Sequence, residues 1–225
     1  MRGQLRILLI ARAEITAAST GQASRLRALL LTGNDADRRA ARKALTKTAL
    51  TTLAGRELPT APARDQLIRQ AEITRLALAL LQARQQLKHN KAQLLAIADD
   101  LAPGLTSHYG VGPVSAAQAI VSFSHPGRCR SEAAFAALGG TNPIPASSGK
   151  TIRHRLNRGG DRALNRAIHA IAVTRIRSCA RTRAYVARRT AEGKTPREIR
   201  RCLKRYIARE LYRQLTQSMK PLTNP

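Results

Sequence analysis

The sequence predicts a mostly α-helical fold, in which a helical and coiled-coil region is followed by a second helical domain. Apolar residues recur with helical spacing over most of the 225 residues, and segments rich in Gly and Pro separate these stretches. The apolar residues are mainly Ala, Leu and Ile, with four Tyr, two Phe and no Trp. Small aliphatic side chains suit helix packing, whereas aromatic stacking platforms of the RRM type are not expected with so few rings. We expect the coiled-coil region at 1–102, the second domain at 103–217 and a tail at 218–225.

The N-terminal part of the chain is expected to form two helices. Residues 4–31 have a helical pattern of Leu and Ile, with Arg on the other faces. The Gly-Asn-Asp sequence at 33–35 is a stop signal for this helix. Asp35 or Asp37 can cap a short basic helix that continues to about Ala54, because a carboxylate at a helix start accepts hydrogen bonds from free backbone amides.

Residues 65–100 show the clearest periodicity of the chain. Two series of residues each repeat every seven positions, and all their members are apolar except Asn90. The first series is Ile73, Leu80, Leu87 and Leu94, and the second, three residues later, is Leu76, Ala83, Asn90 and Ile97. Such a narrow seam is typical of a coiled coil, in which a buried Asn fixes register and the number of partners. An amphipathic helix packed inside its own domain is the alternative. The partner of the coiled coil is either another copy of the chain or the 4–31 helix folded back, and we expect a homo-oligomer through 65–100.

A tight hairpin follows Pro103-Gly104, which ends the long helix. Gly110 and Gly112 flank one apolar residue, and Pro113 stands where a helix would begin. Gly permits positive φ and close backbone approach, and Pro is tolerated in a first helical turn. The free amides at such a helix start favour a phosphate, so that the pattern indicates a helix-hairpin-helix that binds a DNA backbone. A Gly-rich turn between two packed helices is the alternative.

Five helices are expected from the hairpin onward, with irregular segments between them. They cover residues 112–124, 131–138, 162–179, a basic stretch through 189, and 195–217. Ser131, Asp161 and Thr195 each stand at a helix start and can cap it. Thr195-Pro196-Arg197-Glu198 has the form of a capping box with Pro at the first helical position. The breaker-rich segment 139–150 is a loop of the kind that tends to be functional, and residues 151–157 could be extended.

The charge of the chain indicates a polyanionic partner. Forty Lys and Arg against thirteen Asp and Glu give a net charge of +27, and most of the excess lies in residues 150–213. Arg dominates there, which suits bidentate contacts to phosphate. A basic run can also be only a solvated face, but this density with so little acid favours nucleic acid as the partner.

Several other classes of site are not indicated. Cys129, Cys179 and Cys202 are far apart and form no Cys-x-x-Cys pair, so that neither a disulfide framework nor a zinc site is expected. The five His residues are scattered without metal-ligand spacing. The apolar run near the N-terminus is too short to span a membrane, and it fits a signal peptide poorly. We expect a cytoplasmic, nucleoid-associated protein without a metal or cofactor of its own.

The segment after residue 146 combines serine with basic side chains. A Ser-Ser-Gly sequence in a Pro-rich loop precedes several basic residues; the set is Ser147, Ser148, Lys150, Arg153, His154, Arg155 and Arg158. Serine attacks a phosphodiester only if its proton is removed and the charge that develops on the phosphate oxygens is offset, for which guanidinium groups are suited. Ser-Gly is also common in plain turns, so that this segment alone does not identify a nucleophile.

Several motifs recur in a fixed order along residues 110–167. They are Gly110-Val111-Gly112-Pro113 with Ala116, Phe135–Gly140 with Pro143 and Pro145, Ser147–Lys150, and Asn157–Ala167. This order closely resembles the carboxy-terminal domain of the "IS one-ten" family of insertion-sequence transposases, now grouped with bridge-RNA-guided recombinases. The preceding Leu- and Arg-rich helices and the coiled coil resemble the central region of that family, so that the likeness extends over roughly residues 4–215.

The resemblance implies serine-dependent DNA strand exchange in DNA transposition. In the family the serine of the Ser-Gly motif joins covalently to DNA, and this position falls on Ser148, with Ser147 as the fallback. The resemblance also implies that the hairpin with Gly110 and Gly112 helps to hold DNA or a guide RNA. Charge and proximity, rather than a family motif, make the basic residues near the serine candidates for neutralising phosphate: Lys150, Arg153, Arg155, Arg158 and Arg162.

The sequence departs from the family pattern at its start. Members carry an amino-terminal RuvC-like domain with four acidic residues that bind Mg²⁺, whereas Glu14, Asp35 and Asp37 stand in helical or turn patterns. The chain is therefore expected to be a truncated transposase, inactive alone, that needs Mg²⁺ only together with such a domain. It would come from a degraded gene, a late start or a split gene. A non-catalytic helix-hairpin-helix protein that binds nucleic acid is the alternative function.

Overall fold

The computed structural model describes residues 2–57, 62–146, 154–155 and 157–219. These residues form a mostly α-helical fold, as the sequence predicts, with one short pair of strands. In chain order the described elements are α1 (Arg2–Leu31), α2 (Asp35–Ala41), α3 (Lys47–Ala54), α4 (Arg64–Leu101), α5 (Pro113–Phe123), α6 (Glu132–Leu138), β1 (Ile144–Pro145), β2 (His154–Arg155), α7 (Arg162–Ser178), α8 (Ala180–Ala191) and α9 (Pro196–Ser218). None of these helices is long and apolar enough to cross a membrane.

The chain divides into two compact units. Unit 1 consists of Met1–Leu9 and Lys91–Pro225, and unit 2 consists of Ile10–Asn90. Unit 2 packs around apolar side chains from each of its four helices: Leu26, Leu30, Ala41, Leu50, Leu53, Ile73, Leu76 and Leu80. The domain boundary predicted at residue 102 stays a prediction.

The predicted heptad seam of α4 is covered within the chain itself in unit 2. Leu76 and Leu80 are buried and belong to the same apolar cluster as Leu26 of α1. Asn90, the polar residue of the seam, is also buried, and its Oδ1 atom accepts a hydrogen bond from Arg12 of α1 at 3.4 Å. Of the two partners considered for the seam, the folded-back N-terminal helix is therefore the one that contacts these positions here.

Two short helices occupy the segment that the sequence predicts as one helix. Asn34 caps the first by accepting a hydrogen bond from the backbone amide of Asp37 at 2.9 Å, and Thr46 caps the second. The prediction that Asp35 or Asp37 is the cap is wrong. Asp37 is buried instead and forms an ion pair with Arg56, which ties α2 to the residues after α3.

Unit 1 is built on α5, α7 and α9, with α6 packed on α9. Alanines on the buried face of α5 leave room for close approach of the neighbouring helices. The main core residues from these three helices are Ala116, Ala117, Ala119, Ile120, Leu164, Ile168, Ile171, Ile207, Leu211 and Leu215. This core positions α7 and α9, which carry much of the basic charge of the chain.

Three aromatic rings form one cluster in this core. The ring centroid of Phe123 lies 5.9 Å from that of Phe135 and 6.0 Å from that of Tyr212, in edge-to-face geometry. The Tyr212 hydroxyl donates a hydrogen bond to the carbonyl oxygen of Cys129 at 3.1 Å. Since its polar atom has a partner, Tyr212 acts as a core aromatic residue.

The helix starts that the sequence predicts in unit 1 are confirmed. Ser131, Asp161 and Thr195 each accept hydrogen bonds from backbone amides of the helix that follows. Thr195 and Glu198 form the predicted capping box, with Pro196 as the first residue of α9. Capping side chains were readable from the sequence because each interacts with residues only two or three positions away.

Candidate functional site

A short strand pair stands at the two ends of the segment that contains the Ser-Ser-Gly motif. β1 and β2 are antiparallel, with Ile144 opposite Arg155 and Pro145 opposite His154. An extended stretch within 151–157, as the sequence predicts, is thus present at β2. Four residues of the predicted site lie outside the described residues: Ser147, Ser148, Lys150 and Arg153.

A cavity of about 670 Å³, here named the basic cavity, lies beside this strand pair. It is bounded by β2, the turn at residues 140–143, the end of α8 and the first half of α9. Among the described residues, six basic side chains line it: Arg155, Arg189, Lys194, Arg201, Lys204 and Arg205. The single carboxylate among the described lining residues, Glu198, accepts a hydrogen bond from the backbone amide of Thr195 at 2.9 Å. The cavity is therefore strongly electropositive, which is the character that a phosphate backbone requires.

Most of these basic side chains lack a compensating carboxylate. In the part of the chain that the structure describes, Arg201 and Arg205 have no carboxylate oxygen within 4.0 Å. Arg189 pairs with Glu192, but its Nε atom is buried and has no hydrogen-bond partner among these residues. A buried donor without a partner costs about 1–3 kcal/mol. A phosphate oxygen in the cavity would offset the charges and could accept from this donor.

Lys204 connects α9 to the other walls of the basic cavity. Its ammonium group donates a hydrogen bond to Oδ1 of Asn165 on α7 at 2.5 Å. The side-chain nitrogen of Asn165 in turn donates to the carbonyl oxygen of Gly139 at 2.6 Å. Burial lowers the pKa of Lys204 from its ordinary value. One chain of hydrogen bonds thus links α9, α7 and the turn after α6.

Two glycine pairs interlock next to this network. Gly160 has φ +87°, and a Cβ atom there would overlap the carbonyl oxygen of Leu138. Gly140 has φ +60°, and a Cβ atom there would lie 2.7 Å from the carbonyl oxygen of Gly159. Only glycine fits such positions without strain. Gly140 and Gly160 of the resemblance motifs are therefore required by backbone packing.

Asp161 anchors the start of α7 to α5. Its Oδ1 accepts hydrogen bonds from the backbone amides of Ala163 and Leu164 at 2.8 and 3.0 Å, and its Oδ2 accepts one from the Ser122 hydroxyl at 2.5 Å. Burial raises the pKa of Asp161, but these hydrogen bonds together hold it below its ordinary value. Asp161 is thus an ionised carboxylate whose oxygens serve the fold.

The two glycines of the predicted hairpin have different surroundings. Gly110 has φ +79°, and a Cβ atom there would lie 3.3 Å from both the Ile171 carbonyl oxygen and Cγ of Arg175. Gly110 therefore packs on α7. Gly112 is the N-cap residue of α5, with open space at its Cβ position and no side chain capping the helix. Packing therefore explains the glycine at 110 but not the one at 112, and the helix-hairpin-helix stays a prediction.

Arg175 holds the hairpin on α7 and α9. Its Nε donates to the carbonyl oxygen of Tyr109 at 2.7 Å, and its two terminal nitrogens donate to the Glu210 carboxylate at 2.8 and 2.7 Å. His108 Nδ1 lies 2.9 Å from the same carboxylate. The hydrogen bonds from Arg175 hold the pKa of Glu210 below its ordinary value, against the effect of its burial. The hairpin is thus fixed by a half-buried bidentate ion pair.

Of the predicted phosphate ligands that are described, one lines the basic cavity and two do not. Arg155 lines the basic cavity, whereas Arg158 and Arg162 are exposed outside its lining. Five basic residues on and after α8 also line the cavity and are not among those predicted from the sequence: Arg189, Lys194, Arg201, Lys204 and Arg205. The last three have i, i+3, i+4 spacing, which places them on one face of α9. That spacing is the signal that could have identified them.

The described residues contain no group of three or more His, Cys, Asp or Glu side chains that could hold a metal ion. Glu198 bonds to the start of α9, and Asp161 bonds to the start of α7. These two carboxylates therefore do not fit a magnesium site.

Comparison with known proteins reveals a family likeness for part of the chain. Residues 102–187 match the model of the transposase IS116/IS110/IS902 family. The chain is also similar to the "Insertion element IS110 uncharacterized 43.6 kDa protein" of Streptomyces coelicolor, with 34% identity over 123 residues. This alignment covers 53% of the chain and 30% of that protein. The likeness to insertion-sequence transposases that the motifs predict is thus confirmed for the segment from the end of α4 to α8.

Proposed function

We propose that this chain is the DNA-binding and serine-bearing part of an insertion-sequence transposase that exchanges DNA strands. The observation that carries the proposal is the basic cavity at β2, at the end of the segment that contains Ser148. The family match supports the transposase class. The described basic residues of α9 lie beyond the matched segment, so that their part of the cavity is evidence independent of the match.

In this proposal Ser148 attacks a DNA phosphodiester at the basic cavity. Along the sequence Ser148 follows β1 by three residues and precedes β2 by six, so that only short stretches of chain connect it to the strand pair beside the cavity. The serine oxygen forms a bond to phosphorus, the bond from phosphorus to one sugar oxygen breaks, and that oxygen leaves with a proton. Arg201 and Arg205 offset the charge on the non-bridging oxygens. In the proposal His154, which lines the cavity, accepts the serine proton and passes a proton to the leaving sugar oxygen.

The proposal predicts nucleic-acid binding that falls steeply with added salt. Each neutralised phosphate contributes about −0.9 to the slope of log affinity against log salt on B-DNA. Replacing Arg201 and Arg205 together by alanine is expected to weaken duplex DNA binding and to make the slope shallower by roughly 1 to 2. The affinity is measured by titration of labelled duplex at several salt concentrations.

Arg177→Ala with Arg183→Ala is the matched control, because both residues are exposed and lie outside the basic cavity. It removes the same charge and should change the slope less. A flat salt dependence of the parent chain, or an equal change in both double variants, would contradict a role for the cavity.

Guide RNA and self-association are also part of the proposal. Guide RNA binding is supported by the family resemblance and by the charge of +27.

For self-association through 65–100, α4 offers apolar side chains away from its buried seam, since Leu67 is 46% and Leu78 53% exposed. Leu67→Lys with Leu78→Lys should give a folded monomer, whereas Leu80→Lys should unfold unit 2. Sedimentation and circular dichroism distinguish these results, and a parent chain that is monomeric at micromolar concentration would refute self-association.

A further inference from the structure

Three of the four tyrosines of the chain line a second cavity in unit 1. Tyr109 belongs to the hairpin before α5, Tyr185 to α8 and Tyr206 to α9. This cavity, here named the tyrosine cleft, has a volume of about 590 Å³ and also contains Leu203. Sites for small ligands typically measure about 300–1,000 Å³, so the cleft is large enough for a nucleoside. The six aromatic rings of the chain thus separate into three in the core and three at this cleft.

The rings of the tyrosine cleft are held in place but remain accessible. The centroids of Tyr185 and Tyr206 are 6.1 Å apart with an interplanar angle of 88°, which is a favourable edge-to-face contact. The guanidinium carbon of Arg188 lies 5.6 Å from the Tyr185 centroid. Tyr206 is 56% and Tyr109 51% exposed. An aromatic ring that is fixed by neighbours and open on one side can stack with a planar group without first being ordered.

The tyrosine cleft carries a net positive charge. Arg175 is neutralised by its two hydrogen bonds to Glu210, and its bond to the Tyr109 carbonyl oxygen fixes that residue. Arg181 lines the cleft, is exposed and has no carboxylate oxygen within 4.0 Å in the part of the chain that is described. The Arg188 ion pair with Glu192 is long, at 3.8 Å, and exposed. Two guanidinium groups are therefore available to a phosphate beside the rings.

We propose that the tyrosine cleft binds an unpaired nucleotide, with its base stacked on Tyr206 and its phosphate held by Arg181. This inference rests on the proposed function, because it takes nucleic acid as the ligand of the domain. Aromatic rings combined with basic side chains bind single strands, since every unpaired base exposes a flat face and every nucleotide a phosphate. A fully paired duplex keeps its bases stacked on each other and offers no such face. Single-stranded RNA and single-stranded DNA share the required chemistry.

The absence of Trp from the sequence makes a direct test possible. Tyr206→Trp creates one tryptophan in the cleft, and its fluorescence is measured with unpaired DNA, unpaired RNA and duplex DNA of equal length. At least one of the two single strands should quench the tryptophan fluorescence, whereas the duplex should not. Leu95→Trp, at a residue that is 38% exposed and lies outside the cleft, is the control and should not show this difference. Preference for RNA or for DNA identifies which of the two supplies the unpaired nucleotide.

Affinity measurements complete the test. Tyr206→Ala should weaken single-strand binding by between about 5-fold and 150-fold and leave duplex binding unchanged, whereas Tyr206→Phe should keep both. Arg181→Ala should weaken single-strand binding more than Arg183→Ala, which removes a charge from the same helix outside the cleft. Circular dichroism checks that the variants are folded. If Tyr206→Ala keeps the single-strand affinity and the duplex affinity of the parent, nucleotide binding in the tyrosine cleft is refuted and the proposed function stands. If the parent chain binds no nucleic acid, the proposed function is refuted as well.

Discussion

Replacing Ser148 by alanine is expected to abolish a covalent protein–DNA adduct while leaving DNA affinity nearly unchanged. The alanine cannot form a bond to phosphorus, but the basic cavity that binds the phosphates is intact. The chain is mixed with a supplied RuvC-like acidic domain, end-labelled element DNA and guide RNA, because the resemblance implies a composite active site. The adduct is then detected after denaturation by the reduced mobility of labelled DNA.

Ser147→Ala is the matched variant for this experiment. It should form the adduct at a level close to that of the parent. An adduct that persists in Ser148→Ala and disappears in Ser147→Ala would move the nucleophile by one residue. An adduct that persists in both variants would refute serine chemistry, and DNA binding without any adduct would favour a non-catalytic nucleic-acid-binding protein.

Gly160→Ala is expected to lower the free energy of unfolding of unit 1 by roughly 2–4 kcal/mol. Alanine at φ +87° is strained, and its Cβ would overlap the Leu138 carbonyl oxygen, so the backbone must shift. That shift would break the hydrogen bond from the Asp161 amide to the same oxygen, which is 2.6 Å long. All Phe and Tyr residues lie in unit 1, so near-ultraviolet circular dichroism during urea unfolding reports this unit alone.

Gly127→Ala is the control that separates the cost of positive φ from the cost of the Cβ overlap with a backbone oxygen. Gly127 has φ +93°, and nothing lies within 4 Å of the position of its Cβ atom. Its replacement should cost only about 1–2 kcal/mol, which is the price of positive φ. Equal destabilisation by the two variants would show that the interlocked backbone contributes nothing beyond the φ requirement.

Local features of the fold could be predicted from the sequence, whereas the surroundings of most site residues could not. Thr195 and Asp161 were recognisable as caps because a cap interacts with amides of the next turn. Asp37 was wrongly predicted as a helix cap. Its actual partner, Arg56, is 19 residues away, and no repeating pattern in the sequence indicates that the two side chains meet. The seam at Leu80 was found from its heptad spacing, but such spacing does not say which helix will cover it.

The candidate site shows the same limit. Arg155 was selected because it is close in sequence to Ser148, and it lines the basic cavity. Lys204 was missed, since its place there depends on the packing of α9 against α7. The expectation that aromatic residues would not provide a stacking surface relied on their small number. Tyr109 and Tyr206 lie far apart in sequence, and only the folded chain gathers them in one cleft.

The order of synthesis has a consequence for the basic cavity. The β2 wall (His154–Arg155) is translated 46 residues before Arg201, and the bond from Lys204 to Asn165 closes only when α9 docks. A nascent chain that has not yet produced α9 is already highly basic but has no formed cavity. Binding through the cavity is therefore acquired only after α9 has been made and has docked. Until α9 has docked, the chain can attract nucleic acid only through its net positive charge and not through this cavity.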